Sequence, residues 1–91
     1  MTDKKFIFHS DCGHGWLQVS YSDIKELGIE KRISNFSYCD EEYVYLEEDC
    51  DAPLFIMEFN LKYEDWSAEK YLDYISHETH APCRSFNHYI A

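Results

Sequence analysis

The sequence predicts an α+β fold: a small, mainly antiparallel sheet of about four to five strands, packed with one longer and one short helix. Three observations lead to this prediction. The chain has 91 residues, which suits a single core, so we expect one domain spanning residues 1–91. Hydrophobic residues make up 45% and aromatic residues 18%, which supplies the apolar area that a core requires. Short aromatic and β-branched segments alternate with turn residues and helix-capping residues.

A hairpin and a short helix are predicted at the beginning of the chain. Residues 6–9 and 16–20 have strand composition, and the glycines and the Asp between them mark a tight turn. Ser22 is a suitable N-cap for a helix over residues 23–27. Gly28 then supplies the left-handed residue that ends this helix.

A second hairpin and the longer helix are predicted in the middle of the chain. Aromatic and branched residues fill segments 36–39 and 43–46, on either side of an acidic turn. Asp51 is the expected N-cap of a helix that ends near Lys62, with Pro53 close to its first position. The residues expected to face the sheet are Leu54, Phe55, Met57, Phe59 and Leu61.

The last third of the chain has two alternative interpretations. Residues 67–70 resemble a helix start, whereas residues 71–79 are aromatic, branched and roughly alternating. We favour a strand over 71–79, with a helix as the alternative. Pro82 argues against a helix that continues through this position. Residues 81–91 are expected to form an extended tail that packs through Phe86, Tyr89 and Ile90.

The charge of the chain is strongly negative, because 18 acidic residues oppose 8 basic ones and give a formal net charge of -10. Such a surface repels phosphate backbones, which argues against direct binding of nucleic acid. It suits a partner protein with a basic surface, although acidity also serves solubility alone. No segment has the apolar length of a membrane span or of a signal peptide. We therefore expect no membrane association and a cytoplasmic location. The sequence does not indicate the oligomeric state.

The cysteines are interpreted as free thiols. There are four, a number that permits two disulfides, but the chain shows no secretory signal and no C-x-x-C pair of a zinc knuckle. Cys50 lies among acidic residues that raise a thiol pKa, which makes it a poor nucleophile. No nucleotide-binding loop, nucleophile elbow or H-E-x-x-H helix is present in the sequence. We therefore favour a binding protein over an enzyme.

The acidic segment between residues 40 and 51 is the predicted partner-binding region. It contains seven acidic residues, no basic residue and several aromatic residues that could anchor an interface. A solvated acidic surface is the alternative interpretation. The predicted partner-binding residues are Asp40, Glu41, Glu42, Tyr43, Tyr45, Glu47, Glu48, Asp49 and Asp51.

A metal site or hydrolase centre is the alternative function, based on the turn after the first strand. His9, Asp11 and His14 lie within six positions, and imidazole and carboxylate are both zinc ligands, so zinc is the cofactor of this alternative only. Against it, an Asp in a glycine-rich turn commonly bonds the local backbone. A second group, His77 and His80 with Cys83, would strengthen the site if both groups met in space.

Two segments resemble a known family. The start H-S-D-C-G-H-G-W-L, from His9 to Leu17, and the segment Y-L-E-E-D-C-D, from Tyr45 to Asp51, are similar to those of small proteins carried by phages, prophages and plasmids. That family often has Pro in place of Cys12, which disfavours a redox role for this thiol. The resemblance implies the context of a mobile element and brings no established activity. Acidic inhibitors of host nucleases and of CRISPR effectors are common in that context.

The predicted function is therefore that of an acidic protein-interaction module of a mobile element. Its specific form would be an anti-defence protein, anti-CRISPR or nuclease-inhibiting, that imitates the charge of DNA. The predicted partner is a protein with a basic surface, such as a nucleic-acid-binding defence protein of the host.

Overall fold

The computed structural model of the protein describes residues 5–90, and its fold is α+β, as predicted. In chain order the elements are β1 (Phe6–Ser10), β2 (Gly15–Ser20), α1 (Tyr21–Leu27), β3 (Tyr38–Cys39), β4 (Tyr43–Glu47), α2 (Asp51–Tyr63), α3 (Ala68–Tyr71), β5 (Leu72–Ser76), a 3-10 helix (Pro82–Ser85) and β6 (Asn87–His88). The strands form one sheet in the order β5-β1-β2-β4-β3-β6. β5 runs parallel to β1, and all other neighbours are antiparallel. Within the described range, no helix combines the length and apolar content needed to cross a bilayer.

The sheet has six strands instead of the four to five expected. Both predicted hairpins are present, as β1–β2 and β3–β4. β6 is the strand that the sequence does not predict, because two residues are too few to show an alternating pattern.

The main core lies between one face of the sheet and the two longer helices. Because side chains alternate along a strand, Leu17 and Val19 share this face with their neighbours Val44 and Leu46. The ring of Phe6 contacts two rings of α2 edge to face, at centroid distances of 5.3 Å for Phe55 and 5.9 Å for Phe59. Aromatic packing therefore joins α2 to the first strand.

A smaller cluster lies on the opposite face of the sheet. Trp16 and Tyr45, which alternate with the residues of the main core, are buried here beneath the C-terminal segment. Ala81 and Cys83 are the buried residues of that segment, and the ring of Phe86 lies 5.3 Å from Tyr45. The C-terminal segment thus covers the second face, partly as a 3-10 helix and as β6, and not wholly as an extended tail.

The start of α1 differs from the prediction. Ser20, not Ser22, is the N-cap: its hydroxyl accepts a hydrogen bond from the backbone N–H of Asp23, whose carboxylate accepts from the Ser20 N–H. This reciprocal capping box satisfies two donors, which a cap at Ser22 would leave free. Gly28 has φ of 68° and ends the helix, as predicted.

The start of α2 also differs. Cys50 is the N-cap residue and makes no capping bond with its side chain, while Asp51 is already helical and buried. The helix ends at Tyr63, one residue beyond the expected end. Of its predicted core residues, Phe55 and Phe59 are buried and Leu54 is half-buried. Met57 and Leu61 are exposed, because they lie on the face of the helix that points away from the sheet.

The ambiguous region near residues 67–79 contains both predicted elements in succession. A single helical turn, α3, is followed directly by β5. The strand ends at Ser76, earlier than expected. In the tail, Tyr89 is buried and Phe86 half-buried, but Ile90 is 86% exposed. Ala91 lies outside the described residues.

Candidate functional site

The turn between β1 and β2 is organised by Asp11. Its carboxylate accepts hydrogen bonds from the backbone N–H groups of Gly13, His14 and Ala81, at 2.9 to 3.0 Å. It also accepts two bonds from the guanidinium of Arg84, at 2.6 and 3.0 Å. The Arg84 guanidinium, followed by the backbone donors, holds the pKa of this carboxyl well below its usual range. Asp11 therefore fastens the C-terminal segment to the turn and is not free to bind a metal.

His9 lies on the second face of the sheet and has different partners. Its Nδ1 is 3.0 Å from Nε2 of His77, and its Nε2 is 2.6 Å from Oε1 of Gln18. The two histidine segments noted in the sequence thus meet through one pair of rings only, since His80 has no such contact among the described residues. His9, Asp11 and His14 do not converge on a common point, so the predicted metal trio is not assembled.

His14 instead joins the end of β4. In the described part of the chain, the one group of three or more side chains with metal-ligand geometry is His14 with Glu47, Glu48 and Asp49, whose donor atoms all lie within 4.8 Å of one another. Nδ1 of His14 is 3.7 Å from Oε2 of Glu47 and 3.9 Å from Oε1 of Glu48. The β1–β2 turn and the end of β4 are brought together because β2 and β4 pair with Trp16 opposite Glu47.

A groove of about 430 Å³ opens beside this group, and we call it the acidic groove. Its lining residues are His14, Trp16, Phe36, Tyr38, Glu47, Asp49, Cys50, Arg84 and His88. Five of these are aromatic or imidazole rings, so carboxylates stand beside flat apolar surfaces. Phe36 is 64% exposed, whereas Trp16 is almost completely buried.

The rings of the acidic groove are fixed by contacts with one another. Trp16 lies 6.2 Å from Tyr38, and Tyr38 lies 4.9 Å from His88, which β6 places beside it. The guanidinium of Arg84 lies over the Trp16 ring, 4.9 Å from its centroid. These side chains form one continuous wall of the acidic groove.

The electrostatics of the acidic groove are negative. Arg84 is the one Lys or Arg among the described residues that lines it, and the carboxylate of Asp11 already neutralises that charge. His14 is the remaining basic group near Glu47 and Glu48. Apart from this imidazole, the carboxylates at the end of β4 have no basic side chain of the described chain within ion-pair distance.

Cys50 also lines the acidic groove. Desolvation, a hydrogen bond with Glu47 and the surrounding carboxylates raise its pKa above the usual value. The expectation that neighbouring acids raise the pKa of the Cys50 thiol is confirmed, although desolvation is the largest cause. All four cysteines are free, as expected.

The acidic segment predicted to bind a partner is divided by β4. Glu41, Glu42 and Tyr43 are exposed at the β3–β4 turn, while Glu47, Glu48 and Asp49 lie at the other end of the strand. Since a strand rises about 3.3 Å per residue, the two ends are about 13 Å apart.

Three of the predicted partner-binding residues serve the fold. Asp40 accepts hydrogen bonds from the N–H groups that follow it in the turn and from the Tyr45 hydroxyl. Tyr45 itself is buried on the second face of the sheet. Asp51 is buried as well, with its carboxylate bound by Ser34 and Ser37. Tyr45 and Asp51 are therefore not available to a partner, and the predicted surface is smaller than expected.

The aromatic wall of the acidic groove was not identified from the sequence. The sequence predicts strands at Trp16 and Tyr38, and the alternation of β2 assigns Trp16 to the face opposite Leu17. No local signal could have placed His88 beside Tyr38, because the pairing joins residues fifty positions apart through a two-residue strand.

Comparison with known proteins gives no relative: no family model, no curated protein and no solved structure matches this chain.

Proposed function

We propose that this protein is an acidic protein-interaction module that binds a basic surface of a partner protein through the acidic groove. The observation that carries this proposal is the meeting of Glu47, Glu48 and Asp49 with an aromatic wall that contains no unneutralised Lys or Arg in the described chain. The Glu47 carboxylate already accepts two backbone N–H groups, so Glu48 and Asp49 are the carboxylates available for Lys and Arg of another molecule, and neighbouring rings supply apolar contact area.

A nucleic-acid-binding protein is the class of partner that this surface fits. Such proteins present Lys and Arg in a groove that follows a phosphate backbone, and a net charge of -10 would steer the two proteins together. The resemblance to phage-borne and plasmid-borne proteins makes a defence nuclease or CRISPR effector of the host the first partner to test. In that form the protein would be an anti-defence inhibitor.

The test is binding to a partner isolated from host lysate and then purified. We expect a basic protein whose affinity falls steeply between low and high salt. The double variant Glu48→Lys/Asp49→Lys should abolish binding. Glu47 is left unchanged because its carboxylate accepts the backbone N–H groups of Asp49 and Cys50.

The matched control is Glu30→Lys/Glu78→Lys, which makes the same change in net charge at exposed acids elsewhere. If both double variants weaken binding equally, net charge and not the acidic groove governs recognition. If neither does so at low salt, the proposal is wrong.

Binding of a divalent cation is a second candidate function. The observation that favours it is the clustering of donor atoms from His14, Glu47, Glu48 and Asp49 within 4.8 Å. One imidazole with carboxylates suits zinc or manganese. Calorimetric titration of untagged protein with Zn²⁺ and Mn²⁺ tests it, and the absence of saturable binding by wild type would exclude it. The variant His14→Ala should lose the site.

A further inference from the structure

We infer that the acidic groove anchors an arginine side chain of a peptide segment of the partner. This inference rests on the proposed function and specifies which group of the basic surface enters the acidic groove. It depends on three features of the same wall: flat rings, free carboxylates, and a buried donor without an acceptor.

The first two features, the flat rings and the free carboxylates, lie side by side in the acidic groove. A guanidinium is planar, stacks on aromatic faces, and binds a carboxylate through two parallel N–H bonds. Phe36 offers the exposed ring, at 64% exposure, and Asp49 lines the same groove, with a carboxylate oxygen of Glu48 within 4.8 Å of one of Asp49. One side chain could therefore use both surfaces at once.

The protein already contains one arginine bound in this way. Arg84 lies over the Trp16 ring at 4.9 Å while its Nε and one terminal nitrogen bond the two oxygens of Asp11, at 2.6 and 3.0 Å. This internal pair stands in the wall of the acidic groove, so the local geometry is compatible with stacking and two-point carboxylate binding together. The carboxylates at the end of β4 have no equivalent cation among the described residues.

The third feature is the indole N–H of Trp16. The side chain is 2% exposed and lines the acidic groove, yet its Nε1 has no hydrogen-bond acceptor in the described structure. A buried donor without an acceptor is costly, which points to a ligand that brings one. A peptide brings backbone carbonyl oxygens as well as its side chain. A bare metal ion would bring no acceptor, and for this reason we favour the peptide.

The experiment uses the full chain, labelled with ¹⁵N, and short Gly/Ser peptides with blocked ends. One peptide carries a single central arginine, the second a lysine, and the third a citrulline, which keeps the planar shape without the charge. At low salt we expect the arginine peptide to shift the amide signals of His14, Glu48 and Asp49 and the indole signal of Trp16. The lysine peptide should bind about tenfold more weakly, and the citrulline peptide should not bind.

Variants locate the contact. Glu48→Gln/Asp49→Asn should weaken the arginine peptide about tenfold, and Phe36→Ala should do so to a smaller extent. The control Glu41→Gln/Glu42→Gln removes the same charge at the other end of β4 and should leave the affinity unchanged. Unperturbed signals elsewhere in the spectrum establish that each variant is folded.

The outcomes separate this inference from the proposed function. Equal affinity for the arginine and lysine peptides, or shifts outside the acidic groove, would overturn the anchor. If Glu48→Lys/Asp49→Lys still abolishes binding of the partner protein in that case, the proposed function stands without it. If Zn²⁺ saturates the same signals at micromolar concentration while the arginine peptide does not bind, the site is a metal site and the anchor is refuted.

Discussion

Replacement of Asp51 by Asn separates the structural role of the acidic segment from its proposed binding role. The Asp51 carboxylate accepts hydrogen bonds from the Ser34 N–H at 3.0 Å, the Ser34 hydroxyl at 2.6 Å and the Ser37 hydroxyl at 2.5 Å. Ser37 also accepts from the N–H of Glu47 and is completely buried. Asp51 thus joins the start of α2, the loop before β3 and the end of β4.

The size of the effect follows from these bonds. A hydrogen bond to a charged group contributes about 1.5 to 3 kcal/mol, and Asn keeps one acceptor oxygen while placing an N–H₂ group against the serine hydroxyls. Because the hydroxyls can rotate and the buried charge is also removed, we expect a loss close to that of one such bond. The predicted decrease in the free energy of unfolding for Asp51→Asn is about 2 kcal/mol. For a domain of this size that lowers Tm by about 8 to 16 °C.

Chemical denaturation with urea, followed by far-UV circular dichroism, measures this loss. The matched control is Asp49→Asn, the same substitution two positions away at an exposed side chain. It should change the free energy of unfolding by less than about 0.5 kcal/mol. A loss below about 0.5 kcal/mol for Asp51→Asn as well would refute the reasoning, since the buried carboxylate would then contribute no more than a solvated one.

Further predictions concern the turn and the thiols. Asp11→Asn should lower the free energy of unfolding at pH 7. Because the folded-state pKa of Asp11 is lowered, the difference in this free energy between wild type and variant, measured with urea, should narrow below about pH 4, where Asp protonates in the unfolded chain. Gly15→Ala places a Cβ 2.6 Å from the Phe8 ring, so we expect a loss of about 1 to 3 kcal/mol in the same assay. Cys83 is buried, and its pKa is raised to about 12, chiefly by desolvation, so a disulfide reagent should label exposed Cys12 in the folded protein and Cys83 only after unfolding.

Each of these predictions has an outcome that contradicts it. If the difference in the free energy of unfolding between wild type and Asp11→Asn stays constant down to pH 3, protonation of the Asp11 carboxylate does not cause the pH dependence of stability. Wild-type stability of Gly15→Ala would mean that the Phe8 ring moves aside without cost. Labelling of Cys83 at the rate of Cys12 would indicate that the C-terminal segment opens readily from the sheet.

Much of the fold could be predicted from local patterns. Each hairpin has two strand segments that flank residues with a clear preference for turns. The end of α1 could be predicted because it requires only one left-handed residue, Gly28. The errors occurred where a residue had two competing roles. Asp51 fits the pattern of an N-cap, yet its carboxylate binds the hydroxyls of Ser34 and the buried Ser37. Ser22 fits as a cap, yet Ser20 forms the capping box with Asp23. Tertiary partners decide such cases, and a local pattern does not contain them.

The candidate site was less accessible to prediction because it is assembled from distant segments. The acidic residues at the end of β4 could be identified as a charged run, but His14 reaches them only through the pairing of β2 with β4. The Asp11–Arg84 pair joins residues 73 positions apart, and no composition or spacing indicates it. Residue types therefore indicate which functional groups the chain contains, whereas long-range strand pairing determines which of these groups lie close together.

The division of the acidic segment limits how a partner can use it. After Asp40, Glu47 and Asp51 are assigned to internal hydrogen bonds, the segment leaves four acids for ion pairs: Glu41, Glu42, Glu48 and Asp49. They lie in two pairs beyond the opposite ends of β4, and those ends are themselves about 13 Å apart. A partner must span at least that length to contact all four acids. Neutralising one pair should therefore remove only part of the salt dependence of the partner's affinity. Because the aromatic wall stands at one end alone, loss of the Glu48 and Asp49 pair should cost more affinity than loss of the other.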